Sequence, residues 1–415
     1  MSVALVSILD NDLYKFGMQQ AVLKLYPNAH VVYRFKNRDP SMRFDRPGFE
    51  QLVASIKGFA NLRLTLDEKA YLTNKCPYFE PEYIEYLDRF RFDPDAVSCQ
   101  LDDTTGQVQI EISGKWSEVI LFEVPVLALV SEVYFAHMDR NWTSKGQFER
   151  AYEKLQLLVG NGCVFSDFGT RRRRSFKTQD TVVRALVEGS QSGQLQGSGQ
   201  FTGTSNVYLA MKYGVPPIGT VAHEWTMAVS VLERDLLHAN RNALRKWLEA
   251  YPRHFKTALT DTFGTQVFFE DFDAALANGF DGLRQDSGDP KVFFDLAMNH
   301  YRKLGISPAG KALVFSDSLN TAKCIELARL IRENGEGIKA LFGIGTFLTN
   351  DFDRVDQATG KRLEGQKSKA VNIVIKLYQV DGEYVVKLSD DVGKYQGDPE
   401  AVKKALATFG RQAAN

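Results

Sequence analysis

The chain carries no surplus charge: 51 Lys+Arg residues stand against 51 Asp+Glu in 415. That balance excludes a general basic surface of the kind that holds nucleic acid. Cysteine is scarce. Cys76, Cys99, Cys163 and Cys324 are widely spaced, with no CxxC pair and no His/Cys cluster. A zinc site and a disulfide framework are therefore not indicated, and reduced thiols in a cytosolic protein are expected. The sequence does not open on a basic segment followed by an apolar run, so no signal peptide is expected. The most apolar stretch, 119–130, is interrupted by Glu123 and Pro125 and is shorter than the roughly 20 residues that span a bilayer, so no membrane association is expected. HExxH, GxSxG and a Rossmann GxGxxG are missing. Residues 305–311 (GISPAGK) spell GxxxxGK, but Ala312 replaces the Ser/Thr of a P-loop. The segment also follows a helical pattern and precedes a strand, the reverse of the P-loop order. It reads as a helix-to-strand loop.

What is present is an ordinary globular composition, 44% hydrophobic and 25% charged. The length calls for two domains, or one barrel-sized domain with an addition. In the first third, 9–26 reads as a helix ended by Pro27, 30–36 as a strand, and 46–57, 66–73 and 80–89 as helices. Residues 107–113 (QVQIEIS) alternate as a strand, with 116–123 expected as its hairpin partner across Gly114 and Lys115. Helices are expected over 125–138 and 147–159.

From Cys163 onward, short apolar runs alternate with helical segments. The runs are CVFSDFG, FTGTSN, PPIGTVAHEW, TALTDTFG, DGLRQDSGD, KALVFSDS and KALFGIGT. This is the pattern of repeated βα units. Asp289 and Pro290 form an N-cap and first-turn pair for 291–304; Ser318 is expected to cap the next helix and Gly335 to close it. Residues 189–203 are rich in Gly, Ser and Gln and read as a loop, passive linker or lid alike. In the tail, 370–380 and 383–388 form a hairpin across Asp381-Gly382. The expected fold is α/β: an irregular barrel of βα units over 146–365, and a second α+β domain from 1–145 completed by 366–415.

The expected strands end on polar or glycine residues: Asp167/Arg171, His223/Glu224, Asp261/Thr262, Arg284/Asp286, Ser316/Asp317/Ser318 and Gly343/Gly345/Thr346. In a parallel barrel these share the rim where chemistry is done. Each alone is as well explained as a strand-end cap; six in register are not. GIGT at 343–346 either forms a turn or lets backbone N–H groups approach a phosphate. Arg171–Arg174 is either a solvated basic face or an anion site. Its place at a strand-to-helix turn, where cations oppose the helix dipole, favours the anion, with one or two of the four facing the site. Arg284 can fork onto a carboxylate or phosphate. Asp286 either pairs with Arg284 or holds ribose hydroxyls or Mg²⁺. His223 is either structural or functional, and the adjacent Glu224 is expected to orient its ring.

Together with LDNDLYKFGMQQAV, VNIVIKL and KLSDDVGK, the motifs FSDFGTRRRRS, GTSN, PIGTVAHEW, ALTDTFGT, GLRQDSGDP, LVFSDS and FGIGTFLTNDF make the chain resemble the nicotinate phosphoribosyltransferase family over nearly its whole length. The resemblance implies a cytoplasmic homodimer that joins nicotinate to 5-phosphoribosyl 1-diphosphate. The products are nicotinate mononucleotide and diphosphate, with ATP hydrolysed alongside and Mg²⁺ as cofactor. It implies that ATP phosphorylates His223, with Arg284 and Asp286 beside it in the catalytic group. It implies that Tyr14 reaches the nicotinate pocket from the neighbouring subunit and that Phe168 stacks on the pyridine ring. Arg171, Thr220 and Arg284 would bind nicotinate or nearby phosphate, and Gly343, Gly345 and Thr346 the phosphoribosyl group. Asp286 and Asp317 would serve ribose or Mg²⁺. Ser205 stands where the related nicotinamide enzyme has an aspartate, and a serine can donate to nicotinate's carboxylate. The alternatives are a nicotinamide-preferring enzyme and a non-catalytic phosphate or nucleotide sensor of the same fold.

Overall fold

A computed structural model describes residues 5–356, 358–391 and 395–410. The end of KLSDDVGK (392–394) and the last five residues of the expected tail domain lie outside the described residues.

Two main sheets divide the molecule. The first is antiparallel and contains β1 (His30–Asn37), β2 (Val97–Asp102), β3 (Gln107–Lys115), β12 (Ile373–Val380) and β13 (Glu383–Tyr384), in the order β13-β12-β1-β3-β2. The N-terminal third and the tail thus share one sheet, with β1 between β3 and β12. Asp381 and Gly382 have φ of 48° and 85°. That left-handed pair makes the tight turn their sequence signals.

The second sheet is parallel: β4 (Val164–Asp167), β5 (Gln200–Thr204), β6 (Thr257–Leu259), β7 (Gly282–Gln285), β8 (Ala312–Phe315) and β9 (Lys339–Ile344), ordered β5-β4-β9-β8-β7-β6. Helices cover it, so its strands read as continuous apolar runs such as Ala312–Phe315. Phe315 and Phe342 stack at 5.8 Å inside; burying each ring contributes about 1.5–3 kcal/mol. β5 and β6 do not pair. Instead, 216–222 leaves the end of β5, where Ile218 N–H donates to Thr204 O at 2.9 Å. It then reaches Arg284 at the end of β7, which donates to Thr220 and Val221. The sheet is thereby curled into an irregular barrel. A small hairpin, β10 (Phe352–Val355) with β11 (Arg362–Ser368), follows it.

Three local expectations need correction. PPIGTVAHEW is not a strand, because Pro216 and Pro217 remove ladder donors; His223 opens the helix His223–Leu232. Nor is 116–123 a hairpin partner. β3 pairs with β1 and β2, and the chain then turns into helical pieces at Trp116–Val119, Ile120–Phe122 and Glu123–His137. Trp116 and Val119 through Phe122 are all at most 3% exposed, a burial on every side that suits a core helix rather than a one-sided strand. The helical stretch Trp116–His137 has 22 residues and an 18-residue window of mean hydropathy 2.0, so by length and composition it could cross a membrane; 83% of that window is buried inside the fold. Finally, Asn320 rather than Ser318 caps Thr321–Asn334, accepting from Lys323 N–H at 2.9 Å. Asp289 caps Pro290–Lys303 as expected.

Candidate active site

The C-terminal ends of β4, β7, β8 and β9 meet at a cleft of about 240 Å³. Phe168, Arg171 and Arg172 follow β4; Arg284 and Asp286 end β7; Ser316 and Asp317 follow β8; Gly343, Gly345 and Thr346 end β9. Arg38, Lys376 and Lys387 enter from the antiparallel sheet and the tail. A narrower cavity of about 40 Å³ adjoins it and is lined by Tyr14, Glu123, His223 and Glu224; Arg171, Arg284, Asp286 and Lys376 line both. Depressions of about 540 and 610 Å³ elsewhere are larger, yet no histidine lines either. Convergent chemistry, not size, marks the site.

His223 is 5% exposed. Its Nδ1 lies 3.0 Å from Thr262 Oγ1, and its Nε2 lies 2.9 Å from Lys387 Nζ and 3.1 Å from Asp286 Oδ2. Burial, aided by the Lys387 ammonium, pulls the imidazole down to about 4, so it is neutral at pH 7. With Lys387 donating to Nε2, the ring proton sits on Nδ1 and donates to Thr262. Nε2 keeps its lone pair. Glu224 does not orient this ring. Its oxygens accept from Lys15, Tyr33 and Trp116, because successive helical residues point about 100° apart.

Arg284 is clamped. Its Nε donates to Ser316 Oγ at 2.8 Å, Nη1 to Thr220 Oγ1 at 2.8 Å, and Nη2 to Asp286 Oδ1 at 3.0 Å. Burial opposes ionisation of Asp286, but Arg284, His223 and Lys387 outweigh it and hold the carboxyl well below its usual range. Ser316 Oγ also donates to Asp286 Oδ1, while Oδ2 stands 3.1 Å from His223 Nε2. Among the described residues no group of three or more His, Cys, Asp or Glu could hold a metal.

The four arginines divide. Thr170–Arg172 is a single 3₁₀ turn, and Arg171 and Arg172 line the cleft. Arg173 and Arg174 turn inward and are 2% and 0% exposed. Phe168 also lines the cleft, with the Arg284 guanidinium 5.9 Å from its ring centre. Gly343 is needed there for space: a Cβ would come within 2.4 Å of the Phe168 ring. That is a packing role beside the two readings the sequence left open. Gly345 precedes the short helix Thr346–Thr349.

Tyr14 lines the narrow cavity of its own chain; the contribution from a neighbouring subunit that the resemblance implies belongs to the homodimer. Ser205 is buried, donates to Asp12 Oδ1 at 2.7 Å and lines neither cavity. Sequence reasoning placed Asp261 on the rim and Arg172 in the arginine run without giving either a role of its own, and it missed Arg38, Lys376 and Lys387. Of the missed residues, Lys376 and Lys387 lie in the quoted motifs VNIVIKL and KLSDDVGK, which could have flagged them. Asp261 is fully buried with Oδ1 3.8 Å from His223 Nε2.

Residues 163–413 match the nicotinate phosphoribosyltransferase (NAPRTase) family, and residues 9–131 match the NAPRTase N-terminal domain. Nicotinate phosphoribosyltransferase of Methanosarcina mazei is 42% identical, over 98% of this chain and 98% of that one. A crystal structure of the Saccharomyces cerevisiae enzyme of that name aligns at a TM-score of 0.92 and 36% identity, covering 99% of this chain and all of that one. The Porphyromonas gingivalis nicotinate phosphoribosyltransferase structure aligns at 0.88 and 37%, covering 98% and 100%. The chain belongs to the nicotinate phosphoribosyltransferase family.

Proposed function

We propose that the chain joins nicotinate to 5-phosphoribosyl 1-diphosphate and couples that reaction to ATP through phosphorylation of His223. The pyridine nitrogen attacks the ribosyl C1, the C1–O bond to diphosphate breaks, and nicotinate mononucleotide and diphosphate leave. The observation that carries the reading is a buried, neutral histidine set beside a rim of cations. In the ATP step the Nε2 lone pair attacks the γ-phosphorus and ADP departs; water later returns the histidine and releases phosphate. Lys387 and Arg284 are placed to offset the negative charge gathered there. Arg171 and Arg284 suit an anionic ring better than an amide.

Mg²⁺ fits as a cation carried on diphosphate, which it would make a better leaving group. Asp317 on the cleft wall would meet it there, while Asp286 Oδ1 is tied to Arg284 and Ser316. The same reading includes a cytoplasmic homodimer, checked by sedimentation. The central test is formation of nicotinate mononucleotide from the two substrates, with and without ATP, and with nicotinamide in place of nicotinate. Incubation with γ-labelled ATP should leave an alkali-stable, acid-labile label on the protein. A chain that makes no mononucleotide overturns the reaction; one that makes it without ever taking up label overturns the histidine step.

A further inference from the structure

We propose that Lys15, buried behind the narrow cavity, holds Glu123 away from Arg171 and thereby sets the preference for an acid over its amide. The proposal rests on reading that cavity as the seat of the nicotinate carboxylate, with the pyridine ring against Phe168 in the adjoining cleft.

Lys15 lies on the helix Leu13–Leu25 and has no exposed side-chain surface. Its ammonium sits 2.6 Å from Glu123 Oε2 and 2.5 Å from Glu224 Oε2. Glu224 is further held at its other oxygen by Tyr33 Oη at 2.5 Å and Trp116 Nε1 at 2.8 Å. Glu123 differs. Its second oxygen, Oε1, lies 3.8 Å from Arg171 Nη1, beyond hydrogen-bond reach. Glu123, Glu224 and Arg171 all face the cavity, together with Tyr14, whose hydroxyl is buried with no hydrogen-bond partner among the described residues.

Two carboxylates thus stand in the wall of a cavity meant for a third. Without a cation between them they would repel an anionic ring. Glu123, left uncompensated, would close onto Arg171 and compete for it. Burial works against the Lys15 ammonium, but Glu123 and Glu224 outweigh it and keep it charged. With Lys15 engaged, Glu123 needs Arg171 only loosely, and the guanidinium can fork onto the substrate carboxylate. Lys15 touches no substrate; it is a positioning residue that acts through Glu123.

The test compares nicotinate with nicotinamide, its uncharged counterpart, by kcat/KM or by nicotinamide's inhibition constant. The full-length proteins are wild type, Lys15→Met, Lys15→Arg, and Lys15→Met combined with Glu123→Gln, between pH 6 and 8. Lys15→Met should weaken nicotinate by about tenfold or more, through KM, while nicotinamide changes by less than about threefold, the scale of one broken buried charge pair. The nicotinate loss should shrink toward pH 6, because two buried carboxylates without their cation share a proton more readily. The double variant should regain most of the nicotinate affinity, and Lys15→Arg should keep the preference. Where Lys15→Met does not fold, Lys15→Gln gives the same comparison. Loss of both ligands in equal proportion, or a double variant no better than the single, overturns the role of Lys15 alone. Wild type that makes no mononucleotide overturns the functional reading and this proposal with it.

Discussion

Arg171 and Arg172 differ from Arg173 and Arg174 in everything but residue type. Below the rim, both guanidiniums are tied to fixed partners. Arg173 forks onto Asp10 at 2.6 and 2.7 Å. Arg174 donates to Asn350 and Ser368 and lies 3.5 Å from the Phe135 ring centre and 4.3 Å from that of Phe352. On the rim, Arg171 has Glu123 at 3.8 Å, and Arg172 is pulled down to about 10 by burial and by the charges of Arg171 and Arg38. The backbone makes the division: one 3₁₀ turn aims the first pair at the cleft, and extended Arg173 (φ −61°, ψ 151°) sends the second pair inward. The inner pair ties the turn after β4 to the N-terminal segment at Asp10 and to the end of β11 at Ser368. Arg172, crowded by Arg171 and Arg38, stores repulsion that an anionic substrate relieves. The balanced net charge of the chain hides this local excess.

The largest effect is expected at the one neutral nitrogen among these charges. His223→Asn should abolish labelling by ATP and reduce phosphate release per mononucleotide to background, measured by stoichiometry. Retained labelling would place the phosphoryl acceptor elsewhere. Because the imidazole titrates at about 4, wild-type labelling should persist at pH 5.5, where a solvated histidine near 6.5 would be mostly protonated. Next comes the inner pair. Arg173→Met leaves Asp10 buried and uncompensated and should lower unfolding free energy by about 3–5 kcal/mol, read by urea denaturation. The same change at Arg172 should leave stability within about 0.5 kcal/mol and raise KM for the phosphoribosyl donor instead. Equal stability losses at the two sites would erase the distinction. Arg284→Lys keeps the charge but loses the fork between Ser316, Thr220 and Asp286; kcat/KM should fall by about a hundredfold.

Local chemistry made much of this legible in the sequence. Asp381-Gly382 permits a two-residue turn, so the hairpin could be read. Pro after Asp289 announced a helix start. Alternating apolar runs and helical segments announced the parallel sheet, and 100° spacing announced that the arginines could not all face one way. What stayed hidden depended on partners far along the chain. Glu224 follows His223 directly, yet its environment is set by Lys15, Tyr33 and Trp116. Residues 216–222 are apolar enough for a strand, but prolines deny them a ladder. Lys376 occupies one place in the alternating IVIKLYQV, where a lysine reads as a solvent-face residue; only the docking of β12 over the parallel sheet puts it in the cleft. That Gly343 must also leave room for the Phe168 ring could not be read from GIGT, because the ring comes from another strand end.

Lys376 gives the smallest effect and the finest test of whether rim charge is stored for substrate. Burial, then the Lys387 charge, lowers its pKa to about 7, against about 10.4 in an unfolded chain. Below pH 7 the ammonium is present before substrate arrives. Above pH 7 the free enzyme has lost that proton, and a bound phosphate must draw it back, at up to about 1.4 kcal/mol per pH unit. The donor's KM should therefore rise several-fold from pH 6.5 to 8.5, with proton uptake on binding visible by calorimetry in buffers of different ionisation enthalpy. Lys376→Arg, charged throughout, should flatten the profile and remove the uptake. Stability must run the other way. A lysine whose folded pKa lies below its unfolded value binds fewer protons when folded, so unfolding free energy rises with pH across the window from about 7 to 10. Binding that weakens while the fold strengthens is the signature of a cation held in readiness; parallel trends would mean that Lys376 is an ordinary structural charge.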